Sequence, residues 1–156
     1  MCREWLVQLE RQHTEIEKAG LRLAAIGLGQ PKHAARYCPQ YAPSLTCLCH
    51  PTADVHERYG LKKGTLAHLW DKRLAVNVNR ARKAGLVQGF DTGPADQLSG
   101  TFIVDRSSLI RYAYISDIAG DNPNVSEMLL TYQTTITQEM STGLTQKIMG
   151  GPKPDR

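Results

Sequence analysis

A chain of 156 residues, 41% hydrophobic and 22% charged, is expected to fold as one domain around its own core, which excludes general disorder. No apolar run approaches the roughly eighteen residues of a membrane-crossing helix, and no cleavable leader is recognisable, so no membrane partner and a cytoplasmic location are expected. The net charge of +4 is concentrated between residues 61 and 85, where Lys62, Lys63, Lys72, Arg73, Arg80, Arg82 and Lys83 meet the single acid Asp71. A basic patch can attract nucleic acid, but no base-reading motif accompanies it, so a solvated face is expected and nucleic acid is not.

The first element is a helix. Trp5, Leu6, Leu9, His13 and Ile16 recur at three- and four-residue intervals and share one face, while Glu10, Arg11, Glu15, Glu17 and Lys18 fall elsewhere. Gly20 ends it, because glycine readily takes the left-handed conformation of a helix terminus. Cys2 stands at the start of this helix. Unpaired N–H groups and the positive end of the dipole favour an anion there, so a thiol at that position loses its proton more readily, and Arg3 adds a positive neighbour. The bland alternative is a cysteine at a frayed terminus with no role.

Residues 21–27 form an apolar run too short for a helix and suited to a buried parallel strand. A turn at Gly27 to Gly29 leads to a short helix over residues 30–37, with Pro31 tolerated in its first turn and Pro39 closing it. Residues 45–49 read as a brief strand with Cys47 and Cys49 on one face. Asp54 starts one or two helical turns that Gly60 ends. A longer helix is expected over residues 65–83, its apolar face made by Leu66, Leu69, Trp70, Leu74, Val76 and Val78. Residues 85–100 form a loop punctuated by Gly89, Gly93, Pro94 and Gly100. Residues 101–105 and 109–115 make a hairpin around Arg106 to Ser108. A final helix starts near Val125 and carries Met128, Leu129, Leu130 and Tyr132. The domain is expected over residues 1–140, with a disordered tail over 141–156. Parallel βα units followed by a hairpin and a closing helix make an α/β architecture with a mixed sheet flanked by helices.

Four stretches in this order resemble the peroxiredoxin-like AhpC/TSA antioxidant branch of the thioredoxin superfamily. They are Cys2-Arg3-Glu4-Trp5-Leu6 with Leu9, the strand at residues 21–27, the segment from His50 to Tyr59-Gly60-Leu61, and Ser99-Gly100-Thr101-Phe102-Ile103-Val104-Asp105 followed by Ile110-Arg111-Tyr112. The resemblance implies a thioredoxin-like fold and a thiol-dependent antioxidant oxidoreductase that reduces peroxides or disulfides. It also implies a small thiol or thioredoxin-type electron donor, no cofactor, and Cys2 as the reactive residue.

Departures from the family pattern shape the expectation. Cys2 matches the second cysteine of a Cys-x-x-Cys pair. The first cysteine and the strand leading to it, which the family fold sets between residues 21–27 and 101–105, are not present, so the first central strand is expected to be missing. Either an internal methionine has been taken for the first residue, or the chain is a shortened form with weakened redox function; the surfaces of Trp5, Leu9 and the strand at Leu21 favour the former. Gly100 stands where thioredoxins place a cis-proline.

In the chain as given, Cys2 would act with a partner thiol from Cys38, Cys47, Cys49 or a small donor. Four cysteines are too few and too irregular for a disulfide scaffold, and Cys38, Cys47 and Cys49 are expected to pack as small hydrophobes. Cys47-x-Cys49-His50 lacks the paired spacing of a structural zinc site, so no metal is expected. Gly27-Leu28-Gly29 lacks the remainder of a dinucleotide fingerprint. The alternative function is a catalytically inactive thioredoxin-like module acting by protein–protein binding, with the basic helix as its docking face.

Overall fold

A computed structural model of the chain describes residues 2–85 and 96–149. The expected loop at residues 85–100, with Gly89, Gly93 and Pro94, lies largely outside the described residues. The chain opens with two helices, α1 (Cys2–Arg11) and α2 (His13–Lys18), separated only by Gln12. Backbone bonds from Gln12 N–H to Gln8 O and from Ile16 N–H to Gln12 O carry the rod across that break. Leu9 and Ile16 therefore keep to one side, and both are buried. Glu4 in the first turn and Arg11 in the last complement the dipole of α1. Gly20, at φ +79°, ends the second helix as anticipated.

Two parallel strands follow, β1 (Ala24–Leu28) and β2 (Thr46–His50), in register from Ala24 opposite Thr46 to Leu28 opposite His50. The helix between them, α3 (Pro31–Tyr41), runs through Pro39 instead of stopping before it. Proline removes one N–H, but it sits in the last turn, and Ala42 N–H still reaches Cys38 O at 2.8 Å. Full burial of β1 is not what the structure has. One face, bearing Ala25 and Cys47, packs on the core, whereas Ile26 and Leu48, paired across the strands, are each about half exposed.

After α4 (Asp54–Arg58) the single long helix expected over residues 65–83 is divided into a 3-10 turn (Leu66–Trp70) and α5 (Lys72–Lys83). Asp71 makes the division. Its backbone is extended, and its carboxylate accepts a hydrogen bond from Arg73 N–H at 2.8 Å, capping α5. The inward face of α5 carries Asn77 and Ala81, while Val76 and Trp70 from the expected apolar face are exposed.

The hairpin of β3 (Gly100–Val104) and β4 (Ile110–Ile115) is antiparallel, with a shift of register between Ile103 and Val104. Asp105 builds its turn by accepting from Ser107 N–H, Leu109 N–H and Arg111 Nε. The last helix, α6 (Val125–Met149), is capped by Asn124, whose side-chain oxygen accepts from Ser126 and Glu127 N–H. The stretch expected to be a tail from Ser141 is helical as far as Met149, and residues 150–156 lie outside the described residues.

Among the described residues the strands form two two-stranded sheets, β1 with β2 and β3 with β4, and no ladder connects β1 to β3, the place at which the central strand was expected to be missing. Side-chain burial connects them instead. Leu9, Ile16, Ala42, Leu45, Ile103, Val125 and Met128 form one cluster, against which Trp5, Leu6, Ala25, Cys47 and Tyr112 pack. The α/β class stands, with helices and the two sheets sharing one core.

Candidate active site

The first turn of α1 is held from two sides. On one side the Arg3 guanidinium lies over the Tyr37 ring, 4.5 Å from its centroid, and 5.6 Å from that of Tyr41, which ties the helix start to α3. On the other side Glu4, 3% exposed, is one of the most buried polar residues described. Its carboxylate accepts from Gln8 Nε2 at 3.3 Å and from Arg80 through both Nε and Nη2. Arg80 also donates to Asn77 Oδ1 at 3.1 Å and to Gly120 O at 2.8 Å, and Asn77 Nδ2 donates to Ala119 O.

This network joins α1, α5 and the loop between β4 and α6. A buried carboxylate without such donors would carry a large desolvation cost. Arg80 therefore does two things: it lets Glu4 stay buried, and it neutralises a negative charge two residues from Cys2. Sequence reasoning placed Arg80 among solvated basic residues. The available signal was the i, i+3, i+4 relation of Asn77, Arg80 and Ala81, which puts a polar group on the inward face of α5. Other members of the basic stretch are paired too: Lys62 with Asp117, Lys63 with Glu57 and Arg73 with Asp71. The charge excess is thus partly neutralised, by the nearby Glu57 and by Glu4 and Asp117, which are distant in sequence.

Cys2 begins α1, the backbone position from which its proposed acidity was argued; its side chain lies outside what the structure describes. The other three cysteines gather at the junction of α3 and β2. Cys38 and Cys47 are joined as a disulfide with their Cα atoms 6.2 Å apart, which overturns the expectation that both are merely packed small hydrophobes. Cys49 is free and half-buried. It shares the face of Cys47, as a strand spacing of two requires, and its Sγ would lie 3.9 Å from a Cβ placed on Gly27. A groove of about 530 Å³ runs past all three.

Next to that groove the His50 ring nitrogen Nδ1 lies 2.9 Å from Thr52 O. His56 Nδ1 is buried with no hydrogen-bond partner, and burial, with a smaller contribution from His50, holds its pKa below the ordinary histidine value. Tyr114 donates to Asp121 Oδ1 at 2.6 Å. This bond, with burial, pushes its phenol up to about 12. Asp121 follows Gly120, whose carbonyl receives Arg80, so the tyrosine supports the same loop that holds the Glu4 network.

Gly100, at the turn position noted above, is confined. An added Cβ would collide with the Leu61 side chain and lie 3.1 Å from Tyr114 O. Close approach of backbone is the physical reason for a glycine here.

The sequence model of one family, described as AhpC/TSA antioxidant enzyme, matches residues 8–117. The match covers β1 to β4 and only the last turn of α1, from residue 8, and it begins six residues after Cys2. Among curated proteins and solved structures none matches the chain. Well over half of the sequence carries the family pattern, together with the thioredoxin-like fold and the general thiol-dependent antioxidant function of that family. The chain belongs to the AhpC/TSA antioxidant enzymes.

Proposed function

We propose that the chain reduces peroxides or disulfides through Cys2, drawing electrons from a small thiol or a thioredoxin-type donor in the cytoplasm. The observation that carries the proposal is the neutralised acid at the start of α1: Glu4, buried, is balanced by Arg80. A helix N-terminus favours a thiolate, and the arginine offsets the nearby carboxylate that would oppose it.

The thiolate attacks one peroxide oxygen, forming an S–O bond as the O–O bond breaks, and the alkoxide or hydroxide leaves to take a proton. The resulting sulfenic acid condenses with a donor thiol to a mixed disulfide and water. A second donor thiol then releases Cys2 and leaves the donor oxidised. With a disulfide substrate the first step is attack on sulfur and the remainder is the same exchange.

A second reading has one observation in its favour. Leu66 and Trp70, on the 3-10 turn leading into the basic helix α5, are 81% and 89% exposed, a surface suited to a binding module without catalysis. Peroxide consumption with a thiol donor separates the two. The chain should exceed the donor alone, and Cys2→Ser should fall to the donor's own rate. Equal rates for both proteins would leave the binding module.

A further inference from the structure

We propose that Cys38 and Cys47 form a second redox site, a reversible dithiol–disulfide pair that exchanges with small uncharged dithiols and disulfides entering the groove between α3 and β2. The proposal does not depend on Cys2. Three observations meet at this place. The helix and the strand hold the two Cα atoms at 6.2 Å, within the span a disulfide needs, so the bond forms across a junction that the fold has already set.

The reduced state is provided for as well. Cys38 Sγ lies 3.7 Å from Ala42 O and 3.8 Å from Leu45 O, two carbonyls able to accept from its S–H once the disulfide opens. Both oxidation states therefore have a place for this buried sulfur.

Access is asymmetric. Cys38 is 8% exposed, whereas Cys47 is half-buried and borders the groove with Ala35, Pro39, Leu48 and Cys49. The lining carries no charged side chain, which favours an uncharged reagent. An incoming thiolate attacks Sγ of Cys47 and forms a mixed disulfide. The Cys38–Cys47 bond breaks, and its electron pair leaves on Cys38 and takes a proton. The second thiol of the reagent, as thiolate, then attacks its own sulfur in the mixed disulfide and expels Cys47. Two electrons pass from the dithiol to the protein, and an oxidised dithiol reverses every step.

In a reducing compartment such a pair is a responsive group more than a permanent staple. Its opening would remove the covalent tie between α3 and β2 on the face that packs against the core.

The test is equilibration of the native, full chain in graded mixtures of reduced and oxidised dithiothreitol, followed by rapid alkylation and peptide mass mapping. One link, Cys38 to Cys47, should appear and disappear reversibly without denaturant, while Cys2 and Cys49 stay alkylated throughout. The oxidised form should melt at a higher temperature than the reduced form, and Cys49→Ser should leave the link unchanged. A link that is reduced only in urea would overturn the proposal, as would pairing of Cys47 or Cys38 with another cysteine, or no link in any mixture.

Discussion

The two cysteine-bearing regions of this molecule, which meet where Arg3 lies over the tyrosine rings of α3, are built from opposite materials. At the start of α1 one cysteine is followed by charge: Arg3 on two tyrosine rings, and Glu4 buried against Arg80. Between α3 and β2 three cysteines lie along a groove whose lining is apolar. The first arrangement can alter how readily a thiol ionises, since it sets a dipole and a balanced ion pair near it. The second alters which sulfurs can meet, because the backbone fixes 6.2 Å between two Cα atoms and leaves ionisation to the surroundings. Electrostatics suits attack on a peroxide; proximity suits exchange.

The largest effect should come from separating these regions by substitution. Cys2→Ser should remove thiol-dependent peroxide consumption down to the rate of the donor alone. The pair Cys38→Ser and Cys47→Ser should keep most of it while lowering the melting temperature under oxidising conditions. Loss of turnover in both proteins would mean that the two regions work as one site. Next in size is Arg80→Met, which leaves the Glu4 carboxylate buried without its principal donor. Breaking a buried pair costs about 3–5 kcal/mol, and because the Arg80 side chain is 45% exposed the expected loss is about 2–3 kcal/mol by urea denaturation. Adding Glu4→Gln should restore part of it, because an amide costs less to bury than a lone charge.

The sequence was legible where structure is decided locally and silent where it is decided by a distant partner. Gly20 and Gly60 end their helices with positive φ, as their position after an amphipathic run implied. The order of helices and strands, and the hairpin turning at Ser107 and Ser108, also follow from nearest neighbours. Periodicity could not say which side of α5 faces inward, since that depends on Glu4, seventy-six positions away from Arg80. Nor could it give the pairing of Cys38 with Cys47, which follows from the packing of α3 on β2. The break between the sheets falls between β1 and β3, where the central strand was expected to be missing: strand character is local, but a ladder needs an edge in reach, and among the described residues β1 pairs with β2 alone. At the candidate site, the helix that Cys2 begins was legible from its periodicity, and the ion pair of Glu4 with Arg80 was not.

Gly100→Ala should be intermediate in effect, because the new methyl meets the Leu61 side chain and the Tyr114 carbonyl. Overpacking of this kind costs about 1–3 kcal/mol. It strikes β3, which belongs to the other sheet from β2, so the Cys38–Cys47 link should survive it. Loss of that link in mass mapping would show that the two sheets are coupled more tightly than their shared core implies.

Tyr114 and His56 should respond at opposite extremes of pH. Tyr114 supports the loop that holds Arg80, and its pKa is raised from 10 to about 12 in the folded chain, so the neutral phenol is the favoured form. Its contribution is complete below pH 10 and is lost as pH rises through 12. Tyr114→Phe should flatten the alkaline limb of a stability–pH curve, and an unchanged limb would exclude this tyrosine as its source.

The smallest expected effect lies on α4. His56 is held below its ordinary pKa of 6.5 by burial first and by His50 second, so folding favours its neutral ring. The unfolded chain then binds the proton more readily, and stability rises with pH across this range. The contribution is present above 6.5 and lost as pH falls through the lowered folded value. His56→Gln, which cannot protonate, should reduce the slope of urea midpoint against pH between about pH 8 and about pH 5. Because His56 is only half-buried the change will be modest, and the readout is the slope, not the stability at one pH. An identical slope in the variant would assign the acid response to another group.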